Sequence, residues 1–292
     1  MNRRDVITGA VALTGMALTA GAAAQVQTSD ARFKPQPVTP AFKDRPRLVI
    51  DQAHGNFHTR DGRYAPFAAV MAADGWDVQA GTAPFTADSL EGTRLLVIAN
   101  AGQNGKPAFT PEESNVLTQW VRSGGALWFI ADHAPFGAAA SGLAAAFGFE
   151  MGKGWVFEPG RRNPSQIDYT PTTGLLPHPV TQGLKRVRAF TGQSLSLPSG
   201  ASGLLKLGPE AREAATQDQI GDSRLPVLKD RYQGFAMDYG QGRLIGQGEA
   251  GMLSAQVFNR PDGGRIEMGM NVAGLDNETF ARNAARWLGR AL

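Results

Sequence analysis

Four histidines and no cysteine limit the chemistry open to this 292-residue chain. Without thiolates there is no disulfide, no sulfur metal ligand and no cysteine nucleophile, so any reactive site must use imidazole, carboxylate, amide and hydroxyl groups. Two histidines stand in Asp51-Gln52-Ala53-His54-Gly55-Asn56-Phe57-His58 and a third in Asp132-His133-Ala134-Pro135-Phe136. Asn100 and Gln247-Gly248-Glu249 supply further polar groups. Asp51, His54, His58 and His133, with Asp132 and Glu249 nearby, are the donors that suit a divalent transition metal such as zinc. His54, Asp132, His133 and Glu249 suit metal-free general acid–base catalysis equally well, with Asn56 and Asn100 orienting a substrate. Both chemistries stay open at this stage. His54 and His58 have the i, i+4 spacing of a helical zinc motif, but Gly55-Asn56 between them favours a loop, and no H-E-x-x-H is present.

A plainer account competes with both. Asp51 and Asp132 can cap the segments that follow them, while His54 and His133 satisfy nearby backbone groups. His178, bracketed by Pro177 and Pro179, reads as a turn residue. Ser141 and Ser194 are unremarkable as nucleophiles, and G-x-S-x-G, Walker and G-x-G-x-x-G motifs are all absent.

The elements that must position these residues alternate. Leu48 to Ile50, Trp76 to Gln79, Leu95 to Ala99, Ala126 to Ala131 and Arg243 to Gly246 are short apolar runs that predict strands. Between or after them, Tyr64 to Asp74, Pro111 to Arg122, Ala138 to Phe147 and Glu278 to Arg290 predict helices. Thr110, Pro111 and Glu113 form a capping box, and Gly124-Gly125 ends that helix. The alternation predicts an α/β fold: a flavodoxin-like, doubly wound, mostly parallel sheet. In such sheets ligands bind beyond the carboxyl ends of the strands, where the polar segments fall. Residues 155–233, rich in Gly, Pro and Ser, predict an irregular β-rich elaboration that includes strands at Arg186 to Phe190 and Leu204 to Leu207.

The N-terminus reads as a leader. Met1-Asn2-Arg3-Arg4-Asp5 is a basic start, Val6 to Ala20 is mildly apolar, and Ala22-Ala23-Ala24 supplies an A-x-A cleavage site. Residues 1–24 are therefore expected to be a signal peptide, of the twin-arginine kind on its paired arginines, and the mature protein to be periplasmic or secreted. Residues 25–46, polar and proline-bearing, form a linker or surface arm, and residues 47–292 the folded body. Its apolar run is too short to span a bilayer. A formal charge of +3 without a Lys/Arg block gives no footprint for nucleic acid.

Asp51-x-x-His54-x-Asn56-x-His58, Ala131-Asp132-His133-x-Pro135-Phe136, Phe190-Thr191-Gly192, Gly248-Glu249-Ala250-x-Met252 and Gly269-Met270-Asn271 together resemble an uncharacterised bacterial family of the class I glutamine amidotransferase-like superfamily. The resemblance runs from about Arg47 to Leu292. It implies a flavodoxin-like sheet and adds Asn271 to the candidate substrate-binding residues. It does not imply amidotransferase activity, which needs the cysteine this chain lacks. The expected function is an exported hydrolase acting on a small or cell-envelope substrate. The alternatives are a non-catalytic periplasmic sugar- or peptide-binding protein and an envelope scaffold.

Overall fold

The apolar runs beyond Arg47 become strands because each is flanked by polar or glycine-rich breaks and buries side chains on both faces. A computed structural model describes residues 27–259 and 264–292, so the expected signal peptide lies outside the described residues. Strands β1 (Arg47–Asp51), β2 (Asp77–Gly81), β3 (Thr93–Ala99) and β4 (Ala126–Ile130) enclose helices α1 (Ala65–Ala73) and α2 (Pro111–Arg122). Helix α3 (Phe136–Ala146) follows. Five strands come next: β5 (Trp155–Phe157), β6 (Gln166–Tyr169), β7 (Val187–Phe190), β8 (Ser202–Lys206) and β9 (Arg212–Ala214). Then come β10 (Tyr232–Tyr239), β11 (Gly242–Gln247), β12 (Ala255–Asn259), β13 (Arg265–Gly269) and helix α4 (Asn277–Leu288).

The central sheet has seven strands in the order β2-β1-β3-β4-β11-β10-β8. Strands β2, β1, β3, β4 and β11 run parallel, and β10 and β8 extend the sheet antiparallel. The parallel part has the 2-1-3-4-5 order of flavodoxin-like folds, with its switch point between β1 and β3. Alternate residues serve opposite layers. Leu95 and Val97 of β3 and Trp128 of β4 pack with Phe67 of α1 and Phe280 of α4. Leu96, Ile98, Leu127 and Phe129 pack with Leu117 of α2 and Leu143 of α3. Each such fully buried side chain contributes about 1.5–3 kcal/mol of transfer free energy.

The expected α2 matches the observed helix from end to end, because its cap is complete: Thr110 Oγ1 accepts the Glu113 N–H, and Glu113 Oε2 accepts the Thr110 N–H. Trp76, expected in a strand, instead packs its ring on Phe42, with centroids 4.1 Å apart, just before β2 begins. Two elements are additions to the expected pattern: β10, and the β12–β13 hairpin. The hairpin receives the N-terminal arm, where Thr28–Ser29 pairs antiparallel with β12. Asp30 then anchors the arm to Arg265 and to Asn271 Nδ2, the latter at 3.0 Å. Among the described residues no helix is long and apolar enough to cross a membrane.

Candidate active site

The loops after β1, β3, β4 and β11 meet over the carboxyl ends of the sheet and enclose a cavity of about 790 Å³. His58, Asn100, Asp132, His133 and Glu249 line it, each following a different strand end except the Asp132–His133 pair. Of the candidates read from sequence, these five come together.

Asn100 organises the floor. It sits at φ 53°, in the left-handed region that asparagine tolerates better than most residues. Its Oδ1 accepts the Asp132 N–H at 2.8 Å, which fixes which way its amide faces. Nδ2 therefore donates to His58 Nδ1 at 3.0 Å. His58 must then carry its proton on Nε2, which has no partner among the described residues. Burial, with the charge of Arg63 and the neighbouring His133, pushes the His58 pKa down to about 3, so the ring stays neutral.

His133 is arranged the other way round. Its Nδ1 donates to the Ala134 carbonyl at 2.8 Å, which leaves a lone pair on Nε2. The ring stacks on Trp155, with centroids 5.6 Å apart and planes 19° apart. Asp132 spends one carboxylate oxygen on the His133 N–H at 2.8 Å and turns the other towards the Ala250 N–H. Glu249 is buried, its oxygens accepting the Gly251 and Met252 N–H groups at 2.7 Å each. Burial first, then the adjacent Asp132 carboxylate, raises the Glu249 pKa well above the usual carboxyl range, against the pull of those N–H donors.

The turn at Thr191-Gly192 presses against the Gly248–Glu249 segment. A Cβ on Gly192 would lie 2.3 Å from the Gly248 carbonyl oxygen and 2.8 Å from Glu249 Cβ. This contact joins two of the motifs noted in the sequence.

Asp51, His54 and Asn56 form a separate network that does not line the cavity. His54 Nδ1 meets both Asp51 oxygens at 2.9 and 3.0 Å, and Nε2 meets Glu113 Oε1 at 2.9 Å. Asn56 Nδ2 donates to Asp51 Oδ2 at 3.0 Å. Burial alone would lower the His54 pKa, but Asp51 and Glu113 together raise it, and with a carboxylate on each ring nitrogen neither is free. The four side chains considered as one metal set are thus divided, with Asp51 and His54 in this network and His58 and His133 on the cavity. Among the described residues no group of three His, Asp or Glu side chains is placed to hold a metal ion.

Asn271 lies outside the cavity and holds the arm through Asp30. His178 caps a short 3₁₀ turn by accepting the Val180 N–H at 3.1 Å. Ser194 is buried against Glu213, and Ser141 bonds its own helix. Among the cavity residues that sequence reasoning overlooked are Arg63, Trp155, Gln256 and Met268. Gln256 and Met268 belong to the unforeseen hairpin, whose signal was the period-2 alternation in Arg265–Gly269. Arg63 precedes a helix rather than following a strand, so a search confined to strand ends passes over it.

No protein-family model matches the chain, and no curated protein matches it. Among solved structures, the mmIFT52 N-terminal domain is similar over 83% of this chain and 97% of its own, at 15% identity and a TM-score of 0.62. A putative ThuA-like protein from Bacteroides uniformis ATCC 8492 aligns over 87% of this chain and 95% of its own, at 16% identity and a TM-score of 0.48. A glutamine amidotransferase from Thermotoga maritima aligns over 70% of this chain and 76% of its own, at 14% identity and a TM-score of 0.42. The strand order and the mmIFT52 likeness together give a flavodoxin-like α/β fold with an antiparallel extension, and they leave activity to be argued from the cavity.

Proposed function

We propose that this chain is an acid–base enzyme of the hydrolase class, acting on a small ligand held in the cavity. One observation carries the reading: the hydrogen bond from His133 Nδ1 to the Ala134 carbonyl occupies that nitrogen and leaves Nε2 as the ring nitrogen without a partner among the described residues, on a cavity that Asp132 and Glu249 also line. In this scheme water gives a proton to His133 Nε2 as its oxygen attacks the scissile bond. The leaving group takes up that same proton from the imidazolium of His133, which restores the neutral ring, and the adjacent Asp132 carboxylate compensates the positive charge while it lasts. Asn100 and His58 position the substrate. The test is turnover of chromogenic ester, amide and glycoside panels by the chain and by His133→Ala. The variant is expected to lose about 10²–10⁴-fold. Equal turnover by both would sink the reading.

A non-catalytic binding protein is the second reading, favoured by one fact: both Glu249 oxygens are already engaged by backbone N–H groups. It predicts saturable binding with no turnover in any panel. In either case the leader-like first 24 residues support export, and the ligand would then be a small or cell-envelope molecule met outside the cytoplasm.

A further inference from the structure

Side chains lining this cavity include hydrogen-bond donors with no acceptor among the described residues, at Arg63, His58 and Trp155. Arg63 Nη1 donates to Gln256 Oε1 at 2.6 Å, and its guanidinium carbon lies 4.3 Å from the centre of the Phe57 ring. These contacts set the plane of the guanidinium while its Nε and Nη2 have no partner among the described residues, and no carboxylate there pairs with it. Burial lowers the pKa of Arg63, but a guanidinium keeps its proton, so a half-buried positive charge stands uncompensated. The second donor is the Nε2–H of His58, a side chain only 3% exposed whose tautomer Asn100 fixes. Phe57 lies between the two groups: the Arg63 guanidinium sits over its ring, and that ring's centre is 5.5 Å from the centre of the His58 ring. Asp132 and Glu249 also line the cavity, so a ligand with a single negative charge suits it better than one with two.

We propose that the cavity selects an organic carboxylate, whose two oxygens dock on the Nε–Nη2 edge of Arg63 and accept from His58 Nε2–H. A guanidinium edge offers two parallel N–H donors, which match the in-plane oxygens of a carboxylate. A phosphate dianion would bring more charge towards the buried carboxyls and find fewer donors than its tetrahedral oxygens need. The body of the ligand lies against Phe136 and Trp155, and its far end reaches Asp132 and His133. This rests on the proposed function only in taking the cavity as the ligand site.

The test is calorimetric or ligand-observed NMR titration of the full chain with benzoate, its neutral counterpart benzamide, and inorganic phosphate. Benzoate is expected to bind about tenfold or more tightly than benzamide, the ratio that one charge-assisted hydrogen bond supplies. Arg63→Lys and Arg63→Met are each expected to remove that preference. Benzoate no tighter than benzamide, phosphate tighter than benzoate, or folded Arg63 variants with unchanged preference would each overturn the proposal. The benzoate–benzamide comparison needs no variant and so does not depend on one folding. His133→Ala separates the two ideas: it should cut turnover by about 10²–10⁴-fold and keep the benzoate preference. If that preference holds while no turnover is found in any panel, the catalytic reading falls alone; if turnover exists without the preference, the carboxylate site falls alone.

Discussion

His54 and His58 lie one helical turn apart in sequence and face opposite tasks, because the chain between them is a loop. His54 turns towards α2 and is clamped by Asp51 and Glu113, whereas His58 turns towards β3 and is clamped by Asn100. The sequence shows which residue types are present but not which nitrogen each partner occupies, and occupancy separates a brace from a reactive group. Removing His54 leaves Asp51, fully buried, without its main partner. His54→Ala is therefore expected to cost about 3 kcal/mol of stability in denaturant unfolding while leaving ligand binding in the cavity in place. The clamp also sets a pH dependence. The folded pKa of His54 is raised above its ordinary value of 6.5, so its stabilising contribution is complete below that value. It is lost as pH rises through the raised folded pKa. Unfolding curves from about pH 6 to about pH 9 should show this loss in the natural chain, and His54→Gln should flatten it.

At the scale of elements, the cap of α2 couples local helix chemistry to the strand ends. Glu113 has one oxygen on the Thr110 N–H and the other on His54 Nε2 and the Phe85 N–H. Burial works to raise its pKa, but the Thr110 N–H, His54 and the Phe85 N–H hold it below the usual value. Thr110→Ala should lower stability by about 1 kcal/mol, the usual loss of an N-cap, as read from the shift in denaturation midpoint. It should also weaken the hold on His54, so Thr110→Ala and His54→Ala should combine to less than the sum of their separate costs. This helix was legible because its cap, its first-turn proline and its glycine stop agree in the sequence. The hairpin of β12 and β13 was not. Its alternation is short, and Ile266 on one strand is exposed while Met268 two residues on is buried against the cavity. Strand β10, Tyr-Gln-Gly-Phe-Ala-Met-Asp-Tyr, is diluted by Gln and Gly that pack well only once β8 and β11 flank it. Part of the cavity wall thus depends on pairings across long sequence separations, which no local pattern records.

The whole molecule shows the same division. The alternation of strands and helices sufficed for a doubly wound sheet, and the strand-end rule located His58, Asn100, Asp132, His133 and Glu249. What closes the cavity came from outside that rule: Arg63 in front of a helix, and a hairpin laced to an N-terminal arm through Asp30, Arg265 and Asn271. If export proceeds as the leader suggests, the intact mass of protein recovered from outside the cytoplasm should correspond to a chain beginning at Gln25. A mass retaining the first residues would contradict cleavage. Strand β11 carries a different consequence. It lies between β4 and β10, parallel to β4, yet the whole stretch from Ala131 to Gln241 is made before it. While the chain is being synthesised, Ala126–Ile130, five consecutive apolar residues that end fully covered, thus present an unpaired edge until the ribosome has passed Gln247. A cell making this protein must shield that edge for the interval, so the sheet order that builds the cavity also sets how long the nascent chain is open to aggregation.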